Sequence, residues 1–239
     1  MSAHLTKQAL IPLYILTGAW YIVCIRFVPE PWCAPFKVLP LALLIATIIG
    51  AQRHTAGDRL EWMLPVIALG LSAVGDLFGD LKFGSFSDTA FLLQIFFFMG
   101  AHFVYIATFM RGCWREQTEA LPRSQRIFRW IAIMALVAFL AIYGSFILPR
   151  IGSMAFRYAG CAYMVVISVM FLSAVLQTRR DMVPTVVGAA LFVASDALLA
   201  YTSFVPGHGI SLIAEDISVM GTYYAAQLLL NLSSCGRKD

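Results

Sequence analysis

Trp62-Met-Leu-Pro-Val-Ile-Ala-Leu-Gly70-Leu-Ser72-Ala-Val-Gly75-Asp76-Leu-Phe-Gly79-Asp80-Leu81 carries no charge until Asp76. About 20 mostly apolar residues are what an α-helix needs to cross the hydrocarbon core of a bilayer. The stretch therefore reads as a transmembrane helix, and its two acids, at i and i+4, share one helical face. The same reading extends outward in both directions. Apolar runs bounded by charge or by Pro and Gly predict helices near 10–28, 34–51, 62–81, 90–110, 127–148, 154–177, 182–204 and 211–232. The expected fold is all-α: a polytopic membrane protein forming a bundle of about eight transmembrane helices, with residues 1–239 as a single transmembrane domain.

Composition agrees. Hydrophobic residues make up 60% of the chain and charged residues 13%, against about 25% charged in soluble domains, and the mean hydropathy is +0.80. The net charge of +4 does not form a nucleic-acid patch, because the basic residues fall in short gaps between apolar runs. They act as topology signals instead. With an even number of helices, Lys7, Arg53, Arg59, Arg111, Arg115, Arg123, Arg126, Arg129, Arg179, Arg180, Arg237 and Lys238 lie on the side of the termini. Arg26, Lys37, Lys82, Arg150 and Arg157 lie on the other, a 12 to 5 division of the 17. The positive-inside rule then places both termini in the cytoplasm, with a bacterial inner membrane as the expected location. The first run is too long for a signal-peptide core and lacks a small-residue cleavage site, so it is read as the first span. The widest gap, Arg111 to Arg129, is read as a polar loop.

Ionisable residues at bilayer depth are costly and mark functional sites unless they pair structurally. Counted from span starts at 62 and 182, Asp76 and Asp196 both lie about 14 residues in, or about 21 Å at the helical rise. They are placed to meet at one depth. Lys37, Ser72, His102, Tyr105, Ser195, Tyr223, Tyr224 and Gln227 fall at compatible depths and are expected to line one polar cavity. Asp80, Glu215 and Asp216, nearer helix ends, are counted in the same polar set, Asp80 as a substrate-binding or orienting residue, with acids that merely reach interfacial water as their other reading. Gly75, Gly79, Gly100 and Gly188 read as close-packing positions.

Several chemistries are disfavoured. Of four histidines only His102 lies inside a span, which speaks against a zinc site of two or three histidines. The cysteines Cys24, Cys33, Cys113, Cys161 and Cys235 are scattered without metal-ligand or C-x-x-C spacing. No metal or other cofactor is expected. No G-x-S-x-G nucleophile elbow occurs. Gly79-Asp80 matches one element of intramembrane aspartyl proteases, but the Pro-Ala-Leu and Tyr-Asp elements are missing. Two carboxylates on different helices remain a sound basis for catalysis, since close pairing can divide them into a neutral acid and a charged base.

Five elements in order give the chain a resemblance to a known family: Phe36-Lys37-Val-Leu-Pro40, Ser72 to Asp76, Gly100-Ala-His102-Phe-Val-Tyr105, Gly188 to Ala200 including Ser195-Asp196, and Tyr223-Tyr224-Ala-Ala-Gln227. Together they resemble the YhhN-like membrane lysoplasmalogenases across nearly the whole chain. The second-span element departs from the family pattern, with Pro40 three residues after Lys37 rather than next to it. The resemblance implies hydrolysis of the vinyl-ether bond of a lysophospholipid substrate, giving a fatty aldehyde and a glycerophospho-alcohol. Asp76 and Asp196 would then serve as the catalytic pair. Lys37, with Arg26 or Lys82, would lie near the substrate phosphate; Tyr223 or Tyr224 would cradle a head-group cation; His102 and Gln227 would orient a carboxylate or water. Two other readings of the same residues are a transporter or proton-coupled carrier using the intramembrane carboxylates, and a lipid-binding protein whose acids only pair with Lys37.

Overall fold

The computed structural model describes residues 3–28, 32–52, 59–81, 86–115, 122–177 and 182–231. Eight α-helices fill them: α1 (Ala3–Cys24), α2 (Ala34–Gln52), α3 (Arg59–Asp80), α4 (Ser87–Arg115), α5 (Arg123–Ile142), α6 (Met154–Leu176), α7 (Met182–Phe204) and α8 (Leu212–Asn231). No strand occurs among the described residues. Helix α5 runs on into a π-helical turn, Tyr143–Ile147, and a 3-10 turn, Leu148–Arg150. Six helices are long and apolar enough to cross a membrane, and α1 carries a shorter apolar stretch over Leu10–Cys24. The predicted polar loop from Arg111 to Arg129 is narrower than its charges suggest, because α4 continues to Arg115 and α5 starts at Arg123. Arginine is a good helix former, so these charges prolong the helices beyond the apolar runs.

Seven helices close a ring in the order α1, α2, α3, α4, α6, α7, α8 and back to α1, while α5 packs outside against α6. Within α5 only Ala132 and Leu136 are buried. The side-chain distribution is that of a bilayer protein. Large apolar groups such as Leu16, Trp20, Phe103, Ile131 and Met134 point outward, whereas Lys37, Asp76, Asp80, His102, Gln94, Gln227 and Asn231 are buried inside the ring. In water so large an exposed apolar surface would aggregate; in lipid it costs nothing, and the polar groups must satisfy one another internally.

Close helix approach depends on glycine at a few positions. A Cβ on Gly188 would stand 3.0 Å from the Leu230 amide nitrogen and from Leu229 Cβ, so α7 and α8 lie nearly backbone to backbone. Gly188→Ala is expected to destabilise the folded protein by about 1–3 kcal/mol, seen as a lower Tm in detergent. Gly70→Ala on α3, where nothing lies within 4 Å of the added carbon, should leave Tm unchanged or raise it, because alanine favours a helix over glycine. Equal responses at both positions would refute the packing argument.

Candidate functional site

The buried polar residues form three networks rather than one cavity. The first joins α2, α3 and α8. Asp76 and Asp80, one turn apart on α3, both face Lys37 of α2: Lys37 Nζ lies 2.8 Å from Asp80 Oδ1 and 3.7 Å from Asp76 Oδ1. Tyr223 Oη donates to Asp76 Oδ2 at 2.7 Å, and Tyr224 Oη donates to the Lys37 carbonyl at 2.9 Å. Tyr14 Oη, from α1, donates in turn to the Tyr224 carbonyl at 2.6 Å. Asp80 does not reach interfacial water: it is 5% exposed. Its position as the last residue of α3 is overridden by the ammonium that faces it. Lys37 is likewise inside the ring, paired with carboxylates rather than standing at a rim.

The second network joins α4, α6 and α7. Tyr163 Oη donates to Asp196 Oδ2 at 2.6 Å and lies 2.7 Å from His102 Nε2, which is itself 3.6 Å from the same carboxylate oxygen. Tyrosine has one hydroxyl hydrogen, and it goes to Asp196, so the tyrosine oxygen accepts from His102 Nε2–H. This assigns the hydrogen to Nε2 and leaves Nδ1 as the bare nitrogen; Nδ1 is buried without a partner, which costs less for a lone pair than for a donor left unpaired. The third network is Tyr105 Oη donating to Gln227 Oε1 at 2.7 Å and accepting from Asn231 Nδ2 at 2.9 Å. Ser195 Oγ donates to the Val219 carbonyl at 2.9 Å and ties α7 to α8. Ser72 is buried and its hydroxyl has no partner.

Asp76 and Asp196 thus stand in different networks. Helix α3 begins at Arg59 rather than 62, so Asp76 lies about 26 Å along its helix, against about 21 Å for Asp196 on α7. An aromatic wall occupies the space between their partners. Phe98, Phe192 and Tyr223 meet edge to face, with centroids 6.3, 5.8 and 5.6 Å apart, and the His102 ring packs on Phe192 at 4.7 Å. Tyr223 and Tyr224 are buried, with their hydroxyls engaged. At the rim, Arg26 forms an ion pair with Asp216 and donates to the Leu212 carbonyl at 2.6 Å. Lys82 lies outside the described residues.

A narrow apolar pocket, about 640 Å³ with its open mouth included, lies among α4, α6, α7 and the end of α5. Asp196 is the ionisable acid in its wall; Gln94, Tyr143 and Tyr163 are its other polar side chains. At one end Phe91, Phe156 and Phe204 pack together, with centroids 5.5, 5.9 and 6.1 Å apart. At the other end it stops at Phe98, Ile167 and Val193. Gln94 and Phe98 separate it from α3, where they press on Gly79 and Gly75. The pocket-lining polar residues that the sequence pattern does not single out are Tyr163, Gln94 and Tyr143. Tyr163 carried a usable signal: it stands mid-span, away from the interfacial belt where membrane tyrosines are common.

The ring of apolar-surfaced helices around buried ionisable networks defines a multi-pass membrane protein with a polar interior. Over residues 32–234 the chain matches the YhhN family, and it belongs to that family. It is similar to proteins named lysoplasmalogenase from Mycobacterium bovis and Mycobacterium tuberculosis, 27% identical over 195 residues, covering 82% of this chain and 67% of each relative. No solved structure matches.

Proposed function

We propose that the protein hydrolyses the vinyl-ether bond of a lysoplasmalogen, releasing a fatty aldehyde and a glycerophospho-alcohol, with Asp196 as the carboxyl group that meets the substrate. The observation that carries this reading is the setting of Asp196. It lines an apolar pocket, one oxygen is fixed by Tyr163, and the other, Oδ1, has no hydrogen bond or ion pair among the described residues. Such a pocket with few, placed polar groups suits a lipid chain joined to a reactive bond. The family and the names of the mycobacterial relatives support the same substrate class.

One carboxyl group is sufficient for the cycle. In its acid form Asp196 gives a proton to the alkene carbon remote from the ether oxygen, forming an oxocarbenium ion beside the new carboxylate. The anion stabilises that cation and then takes a proton from the water that adds to it. The acid is regenerated and a hemiacetal results, which collapses to aldehyde and alcohol. Tyr163 orients the carboxylate throughout and His102 holds Tyr163. Asp76, on the far side of the aromatic wall, positions Tyr223 and with it Phe98 and Phe192.

The test is purified protein incubated with a lysoplasmalogen and with the matching ester lysophospholipid. Aldehyde release from the first, with the second left intact, is the expected result. Cleavage of the ester, or no aldehyde from folded protein, would refute the assignment.

A further inference from the structure

The pocket is too short for the substrate it is proposed to hold, and the shortage points to a second compartment. In a lysoplasmalogen the vinyl-ether bond lies where the head group meets the hydrocarbon chain. With that bond at Asp196, the pocket runs only the eight residues to Phe204, about 12 Å of helix, before it ends on the packed rings of Phe91, Phe156 and Phe204, too short for a long hydrocarbon chain. In the opposite direction the pocket ends one turn away, at Val193, Phe98 and Ile167. The chain needs another way out.

A second hollow lies on the outer side of the ring, between α5 and α6, lined by Leu140, Leu148, Cys161, Val165 and Val169. Two side chains, Tyr143 and Met164, line both hollows and form the partition between them. Val165, Val169 and Cys161 are exposed on the membrane-facing surface. The partition is built to give. Tyr143 opens the π-helical turn, a wide, loosely bonded form of helix that is frequent at functional positions. Opposite it is Gly160, where a Cβ would come within 3.4 Å of the Tyr143 hydroxyl. Methionine is the most adaptable apolar side chain, and α5 itself is held by few buried residues.

We propose that the hydrocarbon chain of the substrate leaves the Asp196 pocket between Tyr143 and Met164 and lies in the α5–α6 groove, which makes this groove the chain-length-determining subsite and the lateral door from the bilayer. The inference rests on the substrate class proposed above. Cys161 is a native reporter within the groove. Its rate of alkylation by a maleimide, followed by mass spectrometry of the Cys161 peptide, is measured in micelles with saturated ether lysophospholipids, which lack the scissile double bond.

A long-chain ether lipid is expected to slow labelling severalfold and a short-chain one to leave it unchanged. Val165→Trp, which fills the groove from its lipid-exposed side, should abolish that protection and lower the ratio of kcat/KM for long over short lysoplasmalogens. Aldehyde release is recorded on the same protein preparations given a lysoplasmalogen in place of the ether lipid. If Cys161 labels equally fast with both lipids while aldehyde is released, the groove is not the chain subsite. If chain-length-dependent protection occurs without aldehyde release, the groove stands as a hydrocarbon site and the reaction assignment falls. Equal protection by both chain lengths, or an unchanged ratio in Val165→Trp, overturns the proposal.

Discussion

Asp196→Asn is expected to lower kcat for aldehyde release by about 10²–10⁴-fold, the usual contribution of a general acid or base. Shape and the acceptor for Tyr163 are preserved in asparagine, while the transferable proton is lost, so Tm should change little. Tyr163→Phe removes the bond that orients the carboxylate. A hydrogen bond to a charged group contributes about 1.5–3 kcal/mol, so turnover should fall by about 10- to 100-fold, chiefly in kcat. Asp76→Asn should act differently, lowering Tm as well as activity, because its partners are Lys37 and Tyr223. Since the two aspartates stand in separate networks, the double variant should lose the sum of the two effects on a logarithmic scale. If they worked as one catalytic unit, the double variant would be scarcely worse than the more damaging single one. Near-normal turnover in well-folded Asp196→Asn would remove this residue from the chemistry.

The second large effect is expected in stability, at Lys37. It is 7% exposed and faces two carboxylates. Lys37→Met keeps the apolar stem and deletes the ammonium, leaving Asp76 and Asp80 buried against each other without compensation. Breaking a buried pair in this way costs about 3–5 kcal/mol, enough to deplete folded protein on size-exclusion chromatography. The diagnostic is rescue: combining Lys37→Met with Asp76→Asn and Asp80→Asn removes all three charges together and should restore most of the folded fraction, though not full activity. A Lys37→Met protein with unchanged Tm would show that the triad does not hold the bundle together.

Much of the fold was legible because lipid imposes so strict a rule: eight apolar runs became eight helices, and errors were confined to ends, as at α4 and α5, where arginines extend helices past the membrane. The polar residues were legible as a set, since a charge at bilayer depth is costly whatever it does. How they partition was not. Which side chain faces which depends on helix rotation and neighbour order, and sequence spacing along one helix says little about contacts between α2, α3 and α8. The burial of Asp80 was not legible for that reason, its depth being set by Lys37 on another helix. Tyr163 escapes a sequence reading because its span holds no acid or histidine to mark that face as polar, unlike the spans of Tyr105, Tyr223 and Tyr224. The departure of α5 from the ring, on which the pocket and groove depend, has no signature in hydropathy, because a helix in lipid is apolar whether it lies inside a ring or outside.

The Lys37 triad also constrains how the chain is made. A lysine or aspartate carried into the bilayer on a lone helix is costly, by up to about 2.5–3.5 kcal/mol at the helix centre and less toward its ends, so α2 with Lys37 near its start and α3 with two acids near its end gain by entering lipid together. The two enter most favourably as a hairpin with the ion pairs already formed. Their net surplus of one carboxylate then waits until α8 is made, which brings Tyr223 to Asp76 and Tyr224 to the Lys37 carbonyl and lets Tyr14 of α1 close on α8. A nascent chain lacking α8 therefore retains an incompletely bonded charge in its interior, a mark that membrane quality control can read.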